Sequence, residues 1–403
     1  MSFPNPGTPA NESHDSEPEQ KNQPDLKTRL KHIGLFILTF LSVSYFGVFF
    51  VGQSAGIESF MEMWSDGILF AALLLGFLAA HEFGHYYAAV IHNVRVSLPY
   101  FIPIPLGIGT MGAVISIRER IRTTTKMFDI GVAGPVAGFV VSLAILLYGF
   151  ATLPGPDFIE NFAGHDEVIA HVQETGTFPE APPELSEGSA LIIIGDTILY
   201  SFMASFFDDV PPMYEMYHYP FLFAGWLGLF FTALNLMPVG QLDGGHILFS
   251  LIGQKRQAVV ARLTFGTLTL LGGLEAIPFL YMQLNAWFSV HLITVILLWL
   301  LVLFLLLRKA FQNAQQWVVV TAVGSLMGSV AILYLQTGGQ FNFETGGSLI
   351  WVVWCFFLAY FVKMEHPPVT YNQPLSRGRV ILGWASMAIF ILCISPAPFQ
   401  VIG

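Results

Sequence analysis

Apolar runs of about 20 residues recur along this chain, and they limit its fold more than any other feature. As a helix, a run of that length spans the roughly 30 Å hydrocarbon core of a bilayer. The runs fall near 33–53, 67–91, 128–152, 221–247, 263–284, 287–307, 316–336, 345–363 and 380–399. Only 11% of the 403 residues are charged, against about 25% in soluble domains, so too little polar surface is left to coat a water-soluble body. The runs are unbroken rather than alternating, which excludes a transmembrane β-barrel. The expected fold is all-α and polytopic, with about nine transmembrane helices. Cys355 and Cys393 sit in apolar runs and imply no disulfide framework.

A tenth run, 189–207, contains Asp196 and is barely long enough to cross. Charge placement decides its role, because Lys and Arg concentrate in cytosolic loops. If 189–207 does not cross and the N-terminus is cytosolic, all 17 Lys and Arg fall inside. If it crosses, the eight that follow it flip outside. The run is therefore expected to be a re-entrant or surface-lying segment. The outer loop 153–188 agrees, with eight acidic residues and no Lys or Arg. Topology thus accounts for the basic residues, and no basic face is left for nucleic acid. Residues 1–30 read as a disordered cytosolic tail without a signal or transit peptide, which points to a prokaryotic plasma membrane.

The chemistry begins at His81-Glu82-Phe83-Gly84-His85, inside the second run. Histidines at i and i+4 stand on one helix face. Both can reach one Zn²⁺, with the intervening Glu beside it as general base. Ionisable groups inside a span are costly unless paired or metal-bound, so a functional site is the default reading. A catalytic zinc usually takes three protein ligands and a water. Asp243 is the carboxylate at matching depth: it precedes Lys255 by twelve residues, and His85 precedes Arg95 by ten. Asp129 is too near the cytosolic surface and Glu275 too deep. Pro238, Gly240, Gly244 and Gly245 break the helix around Asp243, as happens at sites within membranes.

Taken together, His81-Glu82-x-x-His85 and Asn235-x-x-Pro238-x-x-x-Leu242-Asp243-Gly244 resemble the site-2 protease family of intramembrane zinc metalloproteases. The resemblance extends to Gly131-x-x-Gly134-Pro135 and Gly109-Thr110-x-Gly112-Ala113, and covers about residues 66–250. No PDZ insert separates the motifs. Residues 233–245 are most similar to the branch holding the chloroplast EGY proteins and their bacterial relatives. The resemblance implies His81, His85 and Asp243 as ligands of one Zn²⁺ per chain, Glu82 as general base and Asn235 as holder of the substrate carbonyl. It implies a transmembrane protein as substrate, cut within or near its membrane segment close to the cytosolic leaflet, as in regulated proteolysis. The chain then divides into the tail 1–30, a first helix and outer loop 31–65, a catalytic membrane core 66–250, and further helices 251–403 of unassigned role. Its oligomeric state is not indicated.

Residues 95–120 carry Pro99, Pro103 and Pro105, then Gly107, Gly109 and Gly112, which forbid a long helix. A small membrane-associated β-hairpin is expected instead. Residues 110–117 alternate loosely and are β-branched in their second half, and their edge would accept an unwound substrate as an added strand, with Gly109, Thr110, Met111, Gly112 and Ala113 as candidate substrate contacts. Gly131, Gly134 and Gly138 would let the next span pack closely on the zinc helix. His32, His92, His165, His171, His218, His246 and His291 lack metal spacing and are expected to be structural or solvated. His366-Pro367-Pro368 reads as a turn after a helix. Two other classes compete. A transporter would spread polar residues through the membrane thickness and show internal repeats, whereas here the polar cluster sits at one depth. A zinc-holding scaffold would have no need of Glu82.

Overall fold

The structure is a computed structural model describing residues 25–54, 60–183 and 191–402, apart from 313, 342, 344, 348, 367 and 368. Residues 1–24 of the expected tail, with Pro367 and Pro368, lie outside the described residues. Helix α1, Leu26–Val51, starts inside that expected tail, because the Asp25 side chain accepts from the Thr28 N–H and caps it. Helix α2, Phe60–Ile91, carries the two histidines. A hairpin follows, with β1, Tyr100–Pro103, antiparallel to β2, Thr110–Val114, and a bridge from Val96 to Ile117 prolonging it. Helix α3, Thr124–Ala151, is capped by the Thr123 hydroxyl.

The chain then makes an excursion at the end of the bundle where α1 and α3 finish. It contains a 3₁₀ turn at Pro156–Asn161, α4, Asp166–Thr175, β3, Leu191–Ile194, α5, Ile198–Ala204, and a second 3₁₀ turn at Met216–His218. Helix α6, Pro220–Leu236, returns through the body, its proline at the first turn where no N–H is needed. The remainder comprises α7, Asp243–Ile252, α8, Gln254–Phe288, α9, Leu292–Ala310, α10, Gln316–Gln336, β4, Thr345–Gly347, α11, Ile350–Phe361, α12, Arg377–Cys393, and β5, Phe399–Ile402.

Among the described residues, six helices are long and apolar enough to cross a membrane: α1, α2 from Met63, α3, α8, α9 and α10. Helices α6 and α11 are shorter apolar helices. The run 221–247 is not one span. Proline at 238 and the left-handed Gly240 (φ 54°) break it after α6, and a Cβ on Gly240 would strike the Lys363 carbonyl. The run 189–207 holds β3 and α5. Strand β3 pairs with β5, which also pairs with β4, a small sheet that the sequence pattern did not announce.

Helix α2 packs against α1, α3 and α6. Between apolar helices in lipid, association depends on close approach and interhelical hydrogen bonds, worth about 0.6–2 kcal/mol each. Thr269 and Ser325 share such a bond at 2.8 Å, and Ser329 Oγ donates to the Leu270 carbonyl at 2.7 Å, joining α8 to α10. The C-terminal segment is built into the body around the site. Helix α12 packs on α3, α6 and α7, and Arg379 grips both oxygens of Asp129 at 2.7 and 2.8 Å. His92 Nε2 completes that cluster at 2.8 Å from Asp129 Oδ2.

Candidate active site

Five elements, α2, the hairpin, α3, α6 and α7, converge on one site. One face of α2 presents His81, Glu82 and His85, all buried. Asp243 arrives as the first residue of α7, an end of the helix that favours a carboxylate. The chain reaches that position by folding α7 back against the end of α6. A Cβ on Gly244 would meet the Leu236 carbonyl, and one on Gly245 the Gly240 carbonyl.

Three ligand atoms meet there. His81 Nε2 and His85 Nε2 are 3.1 Å apart, and Asp243 Oδ2 lies 3.2 Å from His85 Nε2 and 3.6 Å from His81 Nε2. Tetrahedral zinc bonds of about 2.0–2.1 Å imply ligand-to-ligand edges near 3.3 Å, which these separations straddle. His85 Nδ1 donates to the Ile130 carbonyl at 2.7 Å, so its Nε2 lone pair faces the cluster. A cation fits this geometry, because the His85 Nε2 lone pair and the Asp243 carboxylate face one point, and the buried His81 Nδ1 has no hydrogen-bond partner among the described residues to fix which ring nitrogen carries the hydrogen. His81, His85 and Asp243 could thus hold a metal ion.

Helix α3 forms the back wall as expected. A Cβ on Gly134 would land on the His85 ring, and one on Gly138 would lie 3.2 Å from His81 Nδ1. Helix α2 has the same requirement at Gly84, where a Cβ would come within 2.6 Å of the Ala133 carbonyl.

The cluster opens into a cavity of about 270 Å³ that also takes in Glu82, Asn235 and His246. Asn235 donates one amide hydrogen to the Phe231 carbonyl at 3.1 Å, which sets the orientation of its head. The opposite wall is Ala113, Val114, Ile115 and Ile117, with the Ile115 backbone beside the Glu82 carboxylate. Within the expected edge, residues 110–117, the later part lines this cavity. Of Gly109, Thr110, Met111, Gly112 and Ala113, only Ala113 lines the cavity. Gly109 (φ 85°) turns the hairpin against the Ser42 backbone, Thr110 Oγ1 donates to the Ile102 carbonyl, and Met111 is exposed. Gly107 and Gly109 therefore make the turn, residues 110–112 already run in β2, and the β-branched portion forms the wall.

A histidine pair stands beside the centre, and it includes His246, which of the remaining histidines the sequence already puts nearest the site. His246 Nδ1 and His366 Nε2 lie 2.7 Å apart although 120 residues separate them. His246 follows Asp243 by almost one helical turn, and that spacing was the available signal. Nothing in the sequence pairs it with His366.

The fold and site define a class: a helical, membrane-type body carrying a His₂–carboxylate centre with a glutamate at its cavity, as metalloproteases do. The chain belongs to peptidase family M50, the site-2 protease family, whose model matches residues 69–272, just over half of its length. It is 32% identical over 209 residues to the probable zinc metalloprotease EGY1, chloroplastic, of Arabidopsis thaliana, covering 51% of this chain and 34% of that protein. It is 28% identical over 208 residues to the probable zinc metalloprotease EGY2, chloroplastic, of Oryza sativa subsp. indica, covering 52% of this chain and 33% of that protein. The chain thus spans about a third of the length of these relatives. No solved structure matches it. The relatives carry chloroplast names, which lends no support to the expected prokaryotic plasma membrane.

Proposed function

We propose that this chain is an intramembrane zinc endopeptidase that cuts a transmembrane protein within or near its membrane segment. One observation carries the proposal: three ligand atoms 3.1–3.6 Å apart share a cavity with Glu82, Asn235 and a strand wall. His81, His85 and Asp243 would hold one zinc ion at this centre. When bound, zinc polarises the scissile carbonyl and makes water acidic enough to attack at neutral pH.

The remaining steps belong to the chain. Glu82 accepts the proton of the attacking water and delivers it to the leaving amine. The Asn235 amide donates to the oxygen on which negative charge develops. A helical substrate hides its carbonyls in its own hydrogen bonds, so it must unwind first. Strand β2 has β1 on one side only among the described residues, and its other edge can take an added strand. Ala113–Ile117 would lay that strand along the cavity. In this reading the N-terminus is cytosolic, nine segments cross the bilayer, and the cut falls near the cytosolic leaflet, which suits regulated proteolysis.

The test pairs metal analysis with cleavage of a single-span reporter in detergent. Wild type should hold zinc and cut the reporter. His85→Ala and Asp243→Asn should lose the zinc of this centre together with cleavage, whereas Glu82→Gln should keep the zinc and cut nothing. Full activity of Glu82→Gln would refute the mechanism. A wild type that takes up no zinc when zinc is supplied would refute the centre itself.

A further inference from the structure

A second trio of ligand atoms lies in the excursion, outside the expected spans. His165 and His218 approach Nε2 to Nε2 at 3.0 Å. Glu215 Oε2 lies 3.3 Å from His165 Nε2 and 3.5 Å from His218 Nε2. These separations match the edges of a tetrahedral zinc site, about 3.3 Å, as closely as those of the first centre do. His165, Glu215 and His218 each offer one ligand atom to the cluster.

The protonation pattern calls for a cation. His218 Nδ1 donates to the Phe50 carbonyl at 2.8 Å, and His165 Nδ1 to the Ala163 carbonyl at 3.2 Å. A neutral imidazole carries one N–H, so both Nε2 atoms present lone pairs. Those lone pairs face each other and a carboxylate oxygen. Glu215 is 1% exposed, and neither of its oxygens has a hydrogen-bond partner. An ionised carboxylate buried without donors is strongly disfavoured unless a positive charge compensates it. A divalent ion between the three atoms would satisfy all of them at once.

We propose that His165, Glu215 and His218 bind a second divalent transition-metal ion, with zinc the best match to two imidazoles and a carboxylate. The role of the site in this proposal is structural, with a water completing the tetrahedron that three protein ligands leave open. It joins the loop before α4 to the turn before α6, and the Phe50 carbonyl behind His218 ties both to the end of α1. Closure agrees with that role, since the Phe162 ring covers His218 at a centroid distance of 4.2 Å. The proposal is independent of whether the first centre cleaves peptides.

The experiment uses the full chain in detergent, dialysed against zinc, with metal content measured by elemental analysis. Wild type should hold about two zinc ions. His85→Ala/Asp243→Asn, which empties the first centre, should still hold about one. Adding His165→Asn and Glu215→Gln should take it close to zero. A His85→Ala/Asp243→Asn protein that is folded and free of zinc overturns the proposal, as does a quadruple variant that keeps its zinc. The quadruple variant can fail to fold, so cobalt is also titrated into folded His85→Ala/Asp243→Asn. The visible bands of tetrahedral cobalt, saturating at about one ion per chain, support the site. Their absence counts against it.

Discussion

The two ligand trios have nearly the same donors and spacing but different surroundings. His81, His85 and Asp243 are 3.1–3.6 Å apart, and His165, Glu215 and His218 are 3.0–3.5 Å apart. The first stands in a cavity of about 270 Å³ with a second carboxylate, an amide and a strand wall. The second lies under aromatic rings, with its carboxylate committed to the cluster. Ligand geometry alone therefore does not separate the proposed hydrolytic centre from the proposed structural one. The first trio differs in having a second carboxylate, Glu82, outside the proposed ligand set and open space beside it.

The largest test of that distinction is Glu82→Gln. General acid–base groups contribute about 10²–10⁴-fold, so reporter cleavage should fall by that factor while zinc content stays constant. Ala113→Pro should likewise abolish most cleavage and spare the metal, because it takes a backbone donor from the strand wall. If it leaves cleavage unchanged, strand addition is wrong and the cavity is filled another way. Gly134→Val comes next. Its side chain would occupy the place of the His85 ring, and displacing a ligand's support typically costs 10–100-fold in metal affinity. Zinc should weaken at the first centre only, as read by competition with a chelator. Equal loss at both sites would mean that the variant disturbs the fold as a whole.

Much of the first centre could be read from the sequence because its determinants are local. Histidines four apart fix a helix face, Pro238 and Gly240 announce the break before Asp243, and Gly134 and Gly138 mark a close helix contact. The second trio has no such signature. Glu215 and His218 are one turn apart, but His165 lies 50 residues earlier in a segment that reads only as an acidic loop. The small sheet is hidden for the same reason: Leu191–Ile194 finds its partner at Phe399–Ile402, and neither strand is long enough to show a period. The run 221–247 was read too long because apolar content continues through Met237, Val239 and Leu242, although the backbone there cannot stay helical.

The smallest effect expected comes from the other device that fastens distant elements. Near the first centre, a charged side chain joins α12 to α3. Asp129 does so, accepting from Arg379 and lying 2.8 Å from His92 Nε2. The pair is partly exposed, so water and salt screen it, and Asp129→Asn should cost only about 1–2 kcal/mol. Zinc bound at a hundred times its dissociation constant would stabilise the excursion by about 2.7 kcal/mol, and a chelator would remove all of it. Thermal unfolding in detergent should therefore show a small shift for Asp129→Asn that shrinks with added salt. The same protein should show a larger shift with chelator that salt leaves alone, and His85→Ala/Asp243→Asn should retain that chelator effect. If chelator moves the midpoint of wild type but not of His85→Ala/Asp243→Asn, the only stabilising metal is at the first centre, and the contrast between the two trios disappears.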